Sequence, residues 1–464
     1  MIRKTFILVL SIMWLAGCRP AYPAGAEGIG DSYYPQLGNG GYDALHYTLE
    51  LSIDPQSNSL SGTCTIEAQA TQPLSTFNLD FSGLTIEQVT VNGKSAKYHR
   101  EDRELTIKPV HSLNDGESFT VTVTYSGSPE TSPSFGTLWS SGWYHTDENV
   151  VFVSSEISGS SNWYPVNDHP LDKATYTFRI TVPKPYVVAT NGLLEDEVDN
   201  GATTTYIWEA AEPMASYVTA MNIDKYVLET APGPDGILIR NYLPPDFPED
   251  SMAGIDQLAD MLAYFSELFG PYPFQAYGIV IVDFPDNGPA AMETQTLSQH
   301  EIDENSYSLS EYVIAHELAH QWFGDSVSLE SWQDIWIKEG AATYAGWLWK
   351  EHKESGYLDT KVRSVYPFYA FSPDPPGKPP PSNLYTNTVF DRGALTFHAL
   401  RLRVGDEAFF QILRTYTERF RYGNASTADF IAVAEEVSDQ DLGEFFDTWL
   451  YDTKIPAIPE MGLE

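Results

Sequence analysis

Cysteine, basic residues and long apolar runs are all scarce in this chain. Two cysteines, Cys18 and Cys64, stand among 464 residues. That number excludes a disulfide framework if Cys18 is modified, and Cys64, in the strand-like Thr63 to Gln69, reads as a small buried hydrophobe. Lysine and arginine number 26 against 64 aspartates and glutamates, a net charge of −38. Nucleic acid is therefore excluded as a partner, because phosphate binding needs a basic footprint. The acidity fits a soluble, self-repelling surface, and a saline habitat is a second reading. The longest apolar run, Phe6 to Leu15, is too short to span a membrane comfortably. No internal repeat is evident. Ordinary apolar content and plentiful aromatics mark a globular chain, long enough for two or three domains.

The chemistry is concentrated in His316-Glu317-Leu318-Ala319-His320, within a helical pattern running from Leu309 to Phe323. Histidines four apart on a helix share a face and can grip one metal ion. Zinc takes imidazole nitrogen and carboxylate oxygen, and a catalytic site keeps three protein ligands and an open position. Glu339, with eighteen residues between it and His320 and on a second helix-like stretch starting near Trp336, supplies the third ligand. Glu317, beside His316, is placed to take a proton from metal-activated water. Asp325 and Asp334 are both available to orient the histidines. His46 and His398 have no partners at metal spacing and read as packing or surface histidines. Trp332, Trp336, Trp347 and Trp349 read as helical core.

His316 to His320 with Glu339 resembles the aminopeptidase N family of zinc metallopeptidases, which includes leukotriene hydrolase. Pro165-Val166-Asn167-Asp168-His169-Pro170-Leu171-Asp172-Lys173 and Gly270-Pro271-Tyr272-Pro273-Phe274 match further family patterns. The resemblance implies one Zn²⁺ per chain, peptide substrates, and cleavage at the N-terminal residue. It implies a saddle-like N-terminal β domain and a thermolysin-like catalytic domain. The large C-terminal helical domain of longer members has no counterpart in this sequence. The family holds the substrate's α-ammonium with a Gly-Ala-Met-Glu-Asn segment. Ala290-Ala291-Met292-Glu293-Thr294 is its equivalent, making Glu293 the anchor, with Glu156 as a second anchor from the β domain. One departure is chemical. The family places an oxyanion-binding tyrosine three residues before a glycine; here Phe390 precedes Gly393, and Tyr385, five residues earlier, is the candidate replacement. Arg392 stands where the family usually has lysine and is expected to point away from the site.

In chain order, Met1 to Gly17 reads as an export signal with Arg3 and Lys4 at its start. Leu15-Ala16-Gly17-Cys18 resembles a bacterial lipobox, so Cys18 is the expected lipid attachment and the protein is expected to be extracytoplasmic, lipid-anchored to a bacterial membrane. Residues 18–41 are Gly-rich and read as a flexible tether. Residues 42–230, with alternating strands such as Tyr47 to Ile53 and turn signals such as Asn92-Gly93, read as an antiparallel β-sandwich. Residues 231–464 read as the mainly helical zinc-peptidase domain. There Ser251 to Phe269 is an amphipathic helix, Tyr277 to Asp283 a strand, Gly288 to Leu297 an edge strand beside the cleft, and Pro373 to Pro381 a proline-rich loop. The functional expectation is a lipid-anchored zinc aminopeptidase with Glu317 as general base. Two alternatives stand beside it: an endopeptidase of the same zinc geometry, against which Glu293 argues, and a zinc-containing peptide-binding lipoprotein with weak turnover, which Phe390 favours.

Overall fold

The computed structural model describes residues 22–464 except 286–287, 302–306 and 370. The export signal and Cys18 lie outside the described residues. Among those, no helix is long and apolar enough to cross a membrane.

A sheet-rich N-terminal domain precedes a mainly helical one. Tyr42–Asp54 buries alternate residues, as a strand with one covered face must. It sits in the middle of an eight-stranded sheet, between Ser59–Ala70 and Ala174–Pro183. The pairing with Ser59–Ala70 is antiparallel, but that with Ala174–Pro183 is parallel, Leu49 opposite Phe178. The all-antiparallel expectation is corrected at that pair. Strands separated by more than a hundred residues need no hairpin, so either direction is open to them. A five-stranded sheet includes Val151–Ser154, whose four residues are all buried, and a three-stranded sheet covers Phe77–Asp80.

The tether expectation fails for residues 22–41. Leu37 and Asn39 are fully buried. Asp31 accepts from the Trp332 backbone N–H at 2.9 Å, and its Oδ2 lies 3.0 Å from His169 Nε2. Burial opposes charge on Asp31, yet His169 and the backbone N–H groups of Trp332 and Tyr33 hold its pKa down to about 2. The Tyr33 and Tyr34 hydroxyls donate to the carbonyls of Pro379 and Pro381 in the proline-rich loop. Gly38, at φ +65°, passes so close to His169 that a Cβ would lie 2.7 Å from that side chain. The segment thus clamps the β domain to the helical one. Its composition suggested flexibility because its partners lie far away in sequence.

The strand Val227–Pro232 runs through the expected boundary at 230/231 and pairs with Leu238–Leu243. The latter continues through Ile279–Val282 to Ser298–Glu301, and Ala291–Met292 forms the edge. Only Ala291–Met292 of the expected edge-strand segment is a strand. Helix α1, Leu258–Phe269, starts later than expected because Glu249–Ala253 and Ile255–Gln257 form tighter 3₁₀ turns; it ends at Gly270, φ +98°. Helix α2, Glu311–His320, is capped by Ser310, whose side chain accepts from Val313 N–H. Helix α3, Trp336–Lys353, packs along α2, and α4 follows at Tyr357–Val365. Helix α5, Gly393–Val404, crosses α3 where Gly340 meets Gly393; a Cβ on Gly340 would lie 2.9 Å from Gly393 Cα. Glu339 lies one residue before this close approach. Trp332, Trp336, Trp347 and Trp349 are buried in this core.

Candidate metal centre and substrate cavity

His316, Glu317 and His320 all come from α2, and Glu339 from the first turn of α3. One helical turn between the histidines brings their Nε2 atoms to 3.1 Å. Glu339 Oε2 lies 3.4 Å from His316 Nε2 and 3.5 Å from His320 Nε2. Tetrahedral zinc with bonds of about 2.0–2.2 Å needs ligand atoms about 3.3–3.6 Å apart; both edges to Glu339 meet this, and the 3.1 Å edge between the histidines is slightly shorter. The donor set, two imidazoles and one carboxylate oxygen, is also zinc's. His320 Nδ1 lies 3.0 Å from the Phe323 carbonyl, which accepts its N–H and leaves Nε2 as the ligand atom. His316 Nδ1 is 3.5 Å from Thr343 Oγ1. Neither aspartate considered from the sequence orients a histidine. Asp334 accepts from Thr427, and both Asp325 carboxylate oxygens are buried with no hydrogen-bond partner among the described residues.

Burial raises the pKa of Glu317 well above the usual carboxylate range, and the charges of Glu293 and Glu339 add to that against the opposing pull of His320. Burial works against a charge on His320, but Glu293 and Glu339 outweigh it and lift its pKa to about 10. The negative charge gathered here is what a dication would neutralise.

The triad opens into a cavity of about 500 Å³ that also takes in Glu317, Glu293, Glu156, Tyr385 and Phe390. Every site residue expected from the sequence within the described residues therefore reaches one cavity. Glu293 follows the edge strand, and Glu156 follows Val151–Ser154 of the β domain, so both domains contribute walls. Phe390 lies in a π-helical turn, Thr388–Arg392, with its ring 6.1 Å from that of His316. Tyr385 lies 6.3 Å from Phe390 and 4.9 Å from Trp139, centroid to centroid. Its hydroxyl is buried and makes no hydrogen bond of ordinary geometry among the described residues; after burial itself, the Glu156 carboxylate is the largest influence on it. Arg392 points away from the cavity and donates to the carbonyls of Trp449, Thr448 and Asp452, fixing the turn that carries Phe390. His398 meets the Tyr344 hydroxyl at 3.1 Å, and His46 meets Thr175 and Thr177; neither is near the triad.

Sequence reasoning missed Lys338. Its ammonium donates to Glu156 Oε1 at 2.6 Å, Glu293 Oε1 at 2.7 Å and Glu339 Oε1 at 2.7 Å. The available signal was a lysine inside Trp336-Ile337-Lys338-Glu339, an otherwise apolar helix start leading to a ligand. Burial disfavours charge on Lys338, but the three carboxylates reverse this and raise its pKa well above the usual value.

Residues 43–218 match the peptidase M1 N-terminal domain, and residues 254–374 and 376–449 match the peptidase family M1 domain. Human glutamyl aminopeptidase is 25% identical over 347 residues, which are 68% of this chain and 35% of that protein. Aminopeptidase N of Streptomyces lividans is 27% identical over 341 residues, 66% of this chain and 38% of that protein. The chain thus spans well under half the length of such relatives. The M1 zinc metallopeptidase of Deinococcus radiodurans superimposes with a TM-score of 0.86 at 30% identity, covering 93% of this chain and 99% of the other. A glutamate-to-alanine variant of that enzyme, bound to a Tyr-Ser-Ala substrate, also superimposes with a TM-score of 0.86 and covers 94% of this chain. Sheet-rich and helical domains, the histidine–glutamate triad and both family matches point one way: this chain belongs to peptidase family M1.

Proposed function

We propose that the protein is a zinc aminopeptidase that removes N-terminal residues from peptides. One observation carries this reading: Glu156 and Glu293 stand in the same cavity as the His316, His320 and Glu339 triad. Carboxylates beside a hydrolytic centre give a peptide's α-ammonium a fixed place, and the first peptide bond then lies at a fixed distance from it. His316, His320 and Glu339 would hold the zinc, which when bound supplies Lewis acidity that polarises the scissile carbonyl and lowers the pKa of water. Glu317 takes the proton of the attacking water and delivers it to the departing amine. Its burial suits this exchange, since burial raises the carboxylate's affinity for a proton. The relatives' names and the tripeptide bound to the Deinococcus enzyme variant support a peptide substrate.

The experiment is a comparison of matched peptides with free and acetylated N-termini. Acetylation removes the charge that the anchor binds, so acetylated peptides should be cleaved at least about tenfold more slowly, the cost of one charge-assisted contact. Equal cleavage of both would favour an endopeptidase. Phe390 favours the reading of a peptide-binding protein with weak turnover, and undetectable cleavage of every free-amine peptide by the zinc-loaded protein would support that one instead.

We also propose attachment to a membrane through a lipid on Cys18, on the strength of Leu15-Ala16-Gly17-Cys18. Cys18→Ser should move the protein from the detergent phase to the aqueous phase in a detergent partition. Unchanged partitioning would rule the anchor out.

A further inference from the structure

We infer that Lys338 is the positioning residue that assembles the amine anchor and sets its charge. The inference rests on the aminopeptidase reading above. Lys338 is fully buried, and its Nζ has three acceptors at 2.6–2.7 Å, one from each of Glu156, Glu293 and Glu339. An ammonium has three N–H donors, so all of them are engaged. The acceptors come from separate places: Glu156 from the β domain, Glu293 from beside the edge strand, Glu339 from α3. A single side chain therefore gathers carboxylates from both domains onto one point.

Carboxylate oxygens of Glu156, Glu293 and Glu339 approach one another within 4.8 Å. Carboxylates that close cannot all stay ionised without a counter-charge, because each raises the pKa of the next. Lys338 supplies that charge inside the wall of the cavity. Tyr217 and Tyr385 flank it, with ring centroids 5.6 Å and 5.8 Å from Nζ, a setting in which aromatic faces also favour a cation. Two geometric consequences follow. Each carboxylate is held by its Oε1, so Glu339 keeps Oε2 for the metal, and Glu156 and Glu293 keep Oε2 for a ligand. With both carboxylates ionised, the pair Glu156 and Glu293 taken with Lys338 carries a net charge of −1, the complement of one α-ammonium. Without the lysine the same pair would carry −2, or would take up a proton or a small cation.

The test uses the zinc-loaded full chain. Lys338→Met keeps the aliphatic stem and removes the ammonium. Its melting temperature should fall, and its KM for an aminoacyl-fluorophore should rise about tenfold or more, the scale of losing hydrogen bonds to a charged group. Ammonium matches the group removed, carries N–H donors, fits the space left beyond the methionine, and should restore both quantities saturably. Tetramethylammonium at equal concentration has no N–H and should restore neither, and wild type should respond to neither salt. Equal effects of the two salts on the variant would overturn the inference. Glu156→Gln provides a second route if Lys338→Met does not fold. It leaves Lys338 opposite Glu293 and Glu339 and brings the anchor's net charge to zero, so KM should rise about tenfold while kcat changes much less. An unchanged KM would also overturn the inference. Failure of the aminopeptidase reading looks different: wild type would then turn over no free-amine substrate, while the ammonium effect on melting of Lys338→Met is read without any substrate.

Discussion

Glu317→Gln should keep one zinc per chain and lose turnover by about a hundred- to ten-thousandfold, the range that a positioned general base contributes. Glutamine has the shape of glutamate but cannot hold the transferred proton. Glu317 lies between His316 and His320 on α2, opens into the cavity, and is buried among charges that raise its pKa. It is not one of the three atoms at tetrahedral spacing, so the metal should be indifferent to the change. His320→Ala supplies the contrast, because it removes one corner of the triangle that Glu339 Oε2 closes at 3.5 Å. That variant should lose zinc as well as activity. Metal analysis of both proteins, with kcat for an aminoacyl-fluorophore, separates ligand from base. Turnover of Glu317→Gln within about tenfold of wild type would remove Glu317 from the proton's path.

The metal triangle was legible because its geometry is local. A four-residue interval on one helix fixes the mutual placement of His316 and His320 whatever the rest of the chain does. Glu339 was legible through its spacing and the family resemblance; the close approach of Gly340 to Gly393, fifty-three residues away, was not. The strands of the first domain were readable from alternation, since a half-covered sheet writes its two faces into the sequence. Alternation says nothing of strand direction, so the parallel partnership of Tyr42–Asp54 with Ala174–Pro183 could not be read from it. Residues 22–41 misled for a related reason. Glycine-rich composition predicts flexibility only for a segment without partners, and Asp31 finds its partners at His169 and Trp332. Lys338 is the clearest case. Beside Glu339 in sequence it reads as a helix-surface lysine; only the folded chain brings Glu156 and Glu293 to it. Asp325 shows the opposite limit, a carboxylate placed by sequence for a histidine that has no hydrogen-bond partner among the described residues.

Phe390→Tyr should raise kcat by about tenfold or more, on the scale by which removing one oxyanion donor slows acyl transfer, about a hundred- to thousandfold. Phe390 borders the cavity with its ring 6.1 Å from that of His316, in a turn that Arg392 pins to the carbonyls of Trp449, Thr448 and Asp452. A hydroxyl at the end of this ring would enter the cavity beside His316, within reach of the charge that would develop on the scissile oxygen in the proposed reaction. It would meet that charge more strongly in the transition state than in the bound peptide, so the gain belongs in kcat rather than KM. Tyr385 is the competing donor. Its hydroxyl is also buried in the cavity, but its ring lies 5.8 Å from Lys338 Nζ and Glu156 exerts the largest charge effect on it, on the side of the amine anchor. Tyr385→Phe should therefore raise KM more than it lowers kcat. The alternative has a distinct signature: if Tyr385 serves the oxyanion, Tyr385→Phe lowers kcat about a hundredfold and Phe390→Tyr does little. Steady-state kinetics on the two single variants and the double variant decide between these. If Tyr385 is the donor, the double variant tests whether a tyrosine at 390 can replace it. Should neither single variant change kcat, no hydroxyl at either position stabilises the oxyanion, and the metal would be its only partner among the groups considered.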